Sequence, residues 1–141
     1  MEETNCNLNR IEASDRESTM AKILIVDDEP HMRLLVSSML ESSKHELLTA
    51  ENGEAALEIL RSELVDVVIT DLIMPEKNGI DLILEIRQIA PDIKIVAMSG
   101  GGGLSGRFDY LPLANLIGAT NILRKPFKRD ELCHAVATLT D

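Results

Sequence analysis

Asp27, Asp28 and Asp71 are carboxylates that follow short apolar runs, and Ser99 and Lys125 follow or end two more such runs. An Asp-Asp pair alone is most often a solvated turn. Three carboxylates gathered in one place repel and raise one another's pKa unless a cation sits among them. Hard oxygen ligands with room for water suit Mg²⁺, which takes few protein carboxylates. A lysine is a compact charge that pairs with a carboxylate or an arriving phosphoryl group. A serine hydroxyl donates to a phosphoryl oxygen. An aspartate facing Mg²⁺ and a lysine is a nucleophile toward phosphorus, and its product is an aspartyl phosphate.

That chemistry requires a fold that brings the five residues together. From Lys22 the chain alternates short β-branched runs with helix-period segments. The runs are 22–26 (KILIV), 45–50 (HELLTA), 66–70 (DVVIT), 93–98 (IKIVAM) and 120–124 (TNILR). Pro30 suits the first position of a helix that turns Met32, Leu35, Val36, Met39 and Leu40 inward. Asn52 caps a second helix with Ala56, Ile59 and Leu60 inward. A third, near 78–90, buries Leu82, Ile83, Ile86 and Ile89 and stops at Pro91. Pro112 limits a fourth to about 112–118, and a fifth covers 127–139 with Leu132, Val136 and Leu139 on one stripe. Continuous apolar strands alternating with helices imply an α/β fold: a doubly wound, five-stranded parallel sheet in a flavodoxin-like three-layer sandwich, strand order 2-1-3-4-5. Sites in such sheets lie beyond the carboxyl ends of the strands. Strand 1 then delivers Asp27 and Asp28, strand 3 Asp71, strand 4 Ser99 and strand 5 Lys125, while Ala50 at the end of strand 2 contributes nothing.

Composition removes several alternatives. Two Phe, one Tyr and no Trp cannot build a base-stacking platform, and a net charge of −10 opposes any phosphate-backbone partner. Cys6 and Cys133 make neither a disulfide framework nor a zinc site. No apolar run approaches a membrane span and no signal peptide precedes the domain, so no membrane partner and a reduced, cytoplasmic setting are expected. Residues 1–21 are polar, aperiodic and acidic, and read as a disordered extension before a domain over 22–141. Gly101 to Gly106 matches G-x-G-x-x-G in form, but it follows the fourth strand and no acid ends the next one, which excludes a dinucleotide site. His31, His45 and His134 are not at ligand spacing, and Cys133 reads as a small apolar helix residue.

The chain resembles the receiver domain of two-component response regulators over about residues 22–139. The matching pieces are ILIVDDEP (23–30), VVITDLIMPEKNG (67–79), MSG (98–100), GA (118–119) and LRKPF (123–127). The resemblance implies that Asp71 accepts a phosphoryl group from the phosphohistidine of a histidine kinase or histidine phosphotransfer protein. It implies that Asp27, Asp28, Asp71 and the backbone carbonyl of Ile73 hold Mg²⁺, and that Ser99 and Lys125 contact the phosphoryl group. It also implies a cis Lys125–Pro126 peptide, which X-Pro bonds accommodate at little cost. No output segment follows residue 141, so a stand-alone regulator is expected: a monomer or weak dimer acting on a protein target or within a phosphorelay.

Two departures concern output. Ile122 stands where the family usually has Tyr or Phe, so the familiar ring switch has no ring. The segment between Ser99 and Lys125 is longer than usual and begins with Gly100 to Gly103, which places readout in 100–111 with Phe108 or Tyr110 as anchors. Two rival readings remain: an Mg²⁺-dependent phosphohydrolase of the haloacid-dehalogenase-like group, and a degenerate receiver that only binds. The first would want an acid two residues after its nucleophile, where Ile73 stands. The complete set of site residues argues against the second.

Overall fold

A computed structural model of the chain describes residues 21–41, 44–74, 78–99, 112, 114 and 117–140. Five parallel strands form one sheet in the order β2-β1-β3-β4-β5. They are β1 (Lys22–Val26), β2 (Glu46–Ala50), β3 (Val67–Asp71), β4 (Lys94–Ser99) and β5 (Asn121–Arg124). The helices are α1 (Pro30–Met39), α2 (Gly53–Ser62), α3 (Gly79–Ile89) and α4 (Arg129–Thr140). The expected fourth helix falls mostly outside the described residues, although Pro112, Ala114 and Ile117 are helical. Of the extension expected over 1–21, residues 1–20 lie outside them as well. Ala21 is buried and its N–H donates to His45 Nδ1 at 3.0 Å, so the packed chain includes it.

Alternation along the strands divides the core in two. Leu24, Val26, Val68, Ile95 and Ala97 face α2 and α3, joining Ala56, Leu57, Leu82, Ile83 and Ile86. Ile23, Ile25, Val67, Ile69, Val96 and Met98 face α1 and α4, joining Val36, Leu40, Leu132, Cys133 and Val136. The central strands are therefore buried on both faces, which is why their sequences read as unbroken β-branched runs. The edge strands are not: β2 has one buried residue and β5 none.

Local signals fix the helix starts. Pro30 occupies the first turn of α1. Asn52 accepts the Ala55 N–H at 2.8 Å and Asn78 accepts that of Asp81 at 2.9 Å, each satisfying an orphan donor. Glu131 accepts the Lys128 N–H at 2.8 Å at the start of α4, so that helix begins two residues later than its apolar stripe suggests. Two expected core residues are exposed instead: Leu35 at 45% and Ile89 at 52%. Leu35 lines a surface groove with Met32, Met39 and Phe127, and Ile89, the last residue of its helix, lines another with Leu64 and Lys94.

Candidate functional site

The ends of β1, β3, β4 and β5 share one rim. Pairing sets Val26 level with Thr70, Asp71 level with Met98, and Ser99 level with Arg124. Asp27 and Asp28 leave β1, Asp71 ends β3, Ser99 ends β4, and Lys125 follows β5, which stops one residue short of it. One carboxylate oxygen from each of Asp27, Asp28 and Asp71 lies within 4.8 Å of the others. Lys125 Nζ stands 3.4 Å from Asp27 Oδ2 and 3.3 Å from Asp71 Oδ1. Asp27, Asp71 and Ser99 are buried and Asp28 is half-buried.

The electrostatics of this cluster are unbalanced. Burial pushes the Asp71 carboxyl up to about 6; Lys125 opposes the rise, and the charges of Asp27 and Asp28 add to it. One ammonium cannot offset three carboxylates, whereas a divalent cation among their oxygens can. The donor set is all hard oxygen, partly open to solvent through Asp28, and it fits Mg²⁺ better than a soft metal. Ile73 follows two residues after Asp71 in the same loop, 52% exposed.

Backbone contacts hold the carboxylates in place. The Asp27 N–H donates to Ala50 O at 3.2 Å, and Asp27 Oδ1 accepts the Glu29 N–H at 3.0 Å. Arg33 Nη1 donates to the Asp27 carbonyl at 2.7 Å. The Thr70 hydroxyl donates to the Asp71 carbonyl at 2.9 Å. The Gly79 N–H donates to Leu72 O at 2.9 Å, bringing α3 against the loop after Asp71. A Cβ on Gly79 would lie 2.3 Å from Asp71 O, so only glycine fits. The Lys125 N–H donates to Ser99 O at 2.7 Å, and the Lys125–Pro126 peptide is cis.

Five expected site residues are thus brought together: Asp27, Asp28, Asp71, Ser99 and Lys125. Ile122 lies on β5, 42% exposed. Gly100, Phe108 and Tyr110 lie outside the described residues. His31 is exposed and 3.4 Å from Glu29 Oε1, apart from the carboxylate cluster. Arg33 and Thr70 were not singled out from sequence. Arg33 did carry a signal, since a cation in a helix's opening turn opposes the macrodipole and so marks tertiary use. Thr70 was marked only as the one hydroxyl in an apolar run. Beside the rim, Met32, Leu35, Met39, Pro126 and Phe127 line an apolar groove that reaches Lys125.

Comparison with known proteins gives the same picture along the whole folded chain. The family model for the response regulator receiver domain matches residues 23–137. Chemotaxis protein CheY of Bacillus subtilis (strain 168) is 34% identical over 116 residues, covering 82% of this chain and 93% of that protein. Transcriptional regulatory protein GlrR of Escherichia coli (strain K12) is 33% identical over 116 residues. Here the chain spans only 25% of the relative's length. A response regulator receiver domain protein from Clostridium thermocellum superposes with a TM-score of 0.77 at 34% identity, covering 86% of this chain and 94% of that one. With a match that starts in β1 and runs into α4, the chain belongs to the response regulator receiver domains of two-component signalling.

Proposed function

We propose that Asp71 is a phosphoacceptor, that Asp27, Asp28, Asp71 and the Ile73 carbonyl hold Mg²⁺, and that the phosphorylated domain signals by protein contact. The observation that carries this reading is the position of Asp71, whose carboxylate lies 3.3 Å from Lys125 Nζ and inside the three-carboxylate cluster. In the transfer, an Asp71 oxygen forms a bond to phosphorus while the donor's phosphorus–nitrogen bond breaks. The electron pair of that bond leaves with the imidazole of a histidine kinase or phosphotransfer protein. Mg²⁺, when bound, offsets charge on the transferring oxygens. Lys125 contacts the arriving group from the β5 side and Ser99 donates to one of its oxygens from the end of β4. The donor approaches across the apolar groove between α1 and the residues after β5, which reaches the same lysine.

Incubation with Mg²⁺ and acetyl phosphate tests this. The expected result is slow, stoichiometric, acid-stable labelling that Asp71→Asn abolishes. Release of many phosphates per protein would instead indicate a phosphohydrolase. Absence of label in the presence of Mg²⁺ would leave a receiver that only binds.

A further inference from the structure

The strand that delivers Lys125 is the least secured in the sheet. No residue of β5 is fully buried; its four positions alternate between half-buried and exposed. A strand without a buried face specifies its own register weakly, and a slip of one residue would carry Lys125 away from the carboxylates. Half-buried Leu123 packs against the core under α1 and α4. Asn121 Nδ2 donates to Ala135 O at 3.4 Å and Thr138 Oγ1 at 3.3 Å, long contacts that leave the strand's ends to fix the register. Its far end is held by the Lys125 N–H on Ser99 O. At its near end the Thr120 N–H donates to Ile95 O at 2.7 Å, and Thr120 Oγ1 accepts the Ile95 N–H at 3.0 Å.

Among the described residues, the side chain that makes the most bonds just before this near end belongs to α3. Arg87, in the last turn of α3, donates to Gly118 O from both Nε (3.2 Å) and Nη2 (2.8 Å). Its Nη1 donates to Pro91 O at 3.0 Å and to Ile93 O at 2.7 Å, in the turn leading to β4. Four bonds from one planar fork onto three backbone carbonyls make a rigid junction that a lysine's point charge cannot reproduce. Gly118 is shaped to receive it. Its φ is +125°, and a Cβ there would stand 2.8 Å from Arg87 Nε. The other end of α3 abuts Asp71 through Gly79, so one helix touches both the acceptor loop and the start of the strand that carries the lysine.

We propose that Arg87 is a positioning residue: by clamping Gly118 it sets the register of β5 and thereby the place of Lys125 relative to Asp71. The effect on phosphotransfer rests on the phosphoacceptor reading above; the register itself does not. Arg87 touches none of the carboxylates, so its loss separates two readouts that general destabilisation would move together.

The test uses the full chain with Arg87→Lys, Arg87→Met and Gly118→Ala. In each variant Mg²⁺ affinity, titrated with the metal alone, is expected to hold or rise, because displacing Lys125 takes a competing cation from Asp27 and Asp71. Labelling of Asp71 by acetyl phosphate is expected to slow ~10-fold or more, the scale of a misplaced catalytic contact. Amide exchange at residues 121–124 should accelerate relative to β1 and β3. The double variant Arg87→Met/Gly118→Ala should be no slower than the worse single, because both changes break one contact. Wild-type labelling rates and unchanged exchange at 121–124 in Arg87→Lys and Gly118→Ala would overturn the proposal. So would Mg²⁺ affinity and labelling falling together. If the parent chain takes no label at all, the phosphoacceptor reading fails, and exchange at 121–124 alone decides whether Arg87 sets the register.

Discussion

Asp71 is held in a state that costs the metal-free fold stability. Its carboxyl ionises at about 6 in the folded chain against an ordinary 3.8, chiefly because it is buried. The folded state therefore binds more protons than the unfolded one between those values, and stability falls as pH rises through that window. Asp71→Asn, which keeps the shape and removes the charge, is expected to stabilise the metal-free protein by on the order of 3 kcal/mol at pH 7.5. The gain should shrink toward zero at pH 4, and urea titrations at the two pH values measure it. A gain that persists at pH 4 would assign the effect to packing. Protons also compete with Mg²⁺ for the same oxygens, so the cation's affinity should weaken by up to ~10-fold per unit as pH drops below about 6. The residues that make this site were legible in the sequence because each ends or follows an apolar run, and a strand's end is a fixed place in a parallel sheet. Thr70 was not, because it acts on a backbone carbonyl, an acceptor that every residue possesses; Arg33 does the same, and its place in a helix's opening turn was the one sign of it.

At the scale of elements, the contact between α3 and the end of β3 is the tightest constraint on the acceptor. A Cβ on Gly79 would meet Asp71 O at 2.3 Å and Leu72 Cα at 2.6 Å, both backbone atoms that cannot rotate away. Gly79→Ala is accordingly expected to cost roughly 1–3 kcal/mol, as overpacking does, and to weaken Mg²⁺ binding by displacing the Asp71 loop. Thermal melts and a Mg²⁺ titration read the two effects separately. Sound folding with unchanged Mg²⁺ affinity would show that the loop does not depend on this approach. The helices themselves were anticipated from caps and periodicity, with Pro30, Asn52 and Pro91 marking boundaries where they were expected. Periodicity was a poorer guide to the margins of each stripe. It gives the direction of a helix's apolar face but not how far the neighbouring layer extends over it, which is why Leu35 and Ile89 came out exposed.

For the molecule as a whole, the strand order is what turns five scattered residues into one cluster, and it was predictable because an all-parallel sheet with helices on both faces has few arrangements. Cation binding to the folded form alone should stabilise the entire domain. At a hundred times its Kd, Mg²⁺ is expected to add about 2.7 kcal/mol. A melting curve with Mg²⁺ and again with excess chelator checks this, and Asp27→Asn together with Asp28→Asn should abolish the difference. An equal shift in that double variant would place the cation elsewhere. Among the described residues no helix is long and apolar enough to cross a membrane.

The groove at the opposite end of the sheet has a consequence for how the domain can be joined to anything else. Ala21, just before β1, and Leu139 and Thr140, at the end of α4, line the same groove. The first and last described residues therefore lie at neighbouring points, about one strand length from Asp71, or roughly 16 Å. A partner domain joined at either point would attach at the pole away from the carboxylates. The same proximity lets a short linker close the two ends into a ring, with new ends cut in an exposed loop, without stretching the sheet.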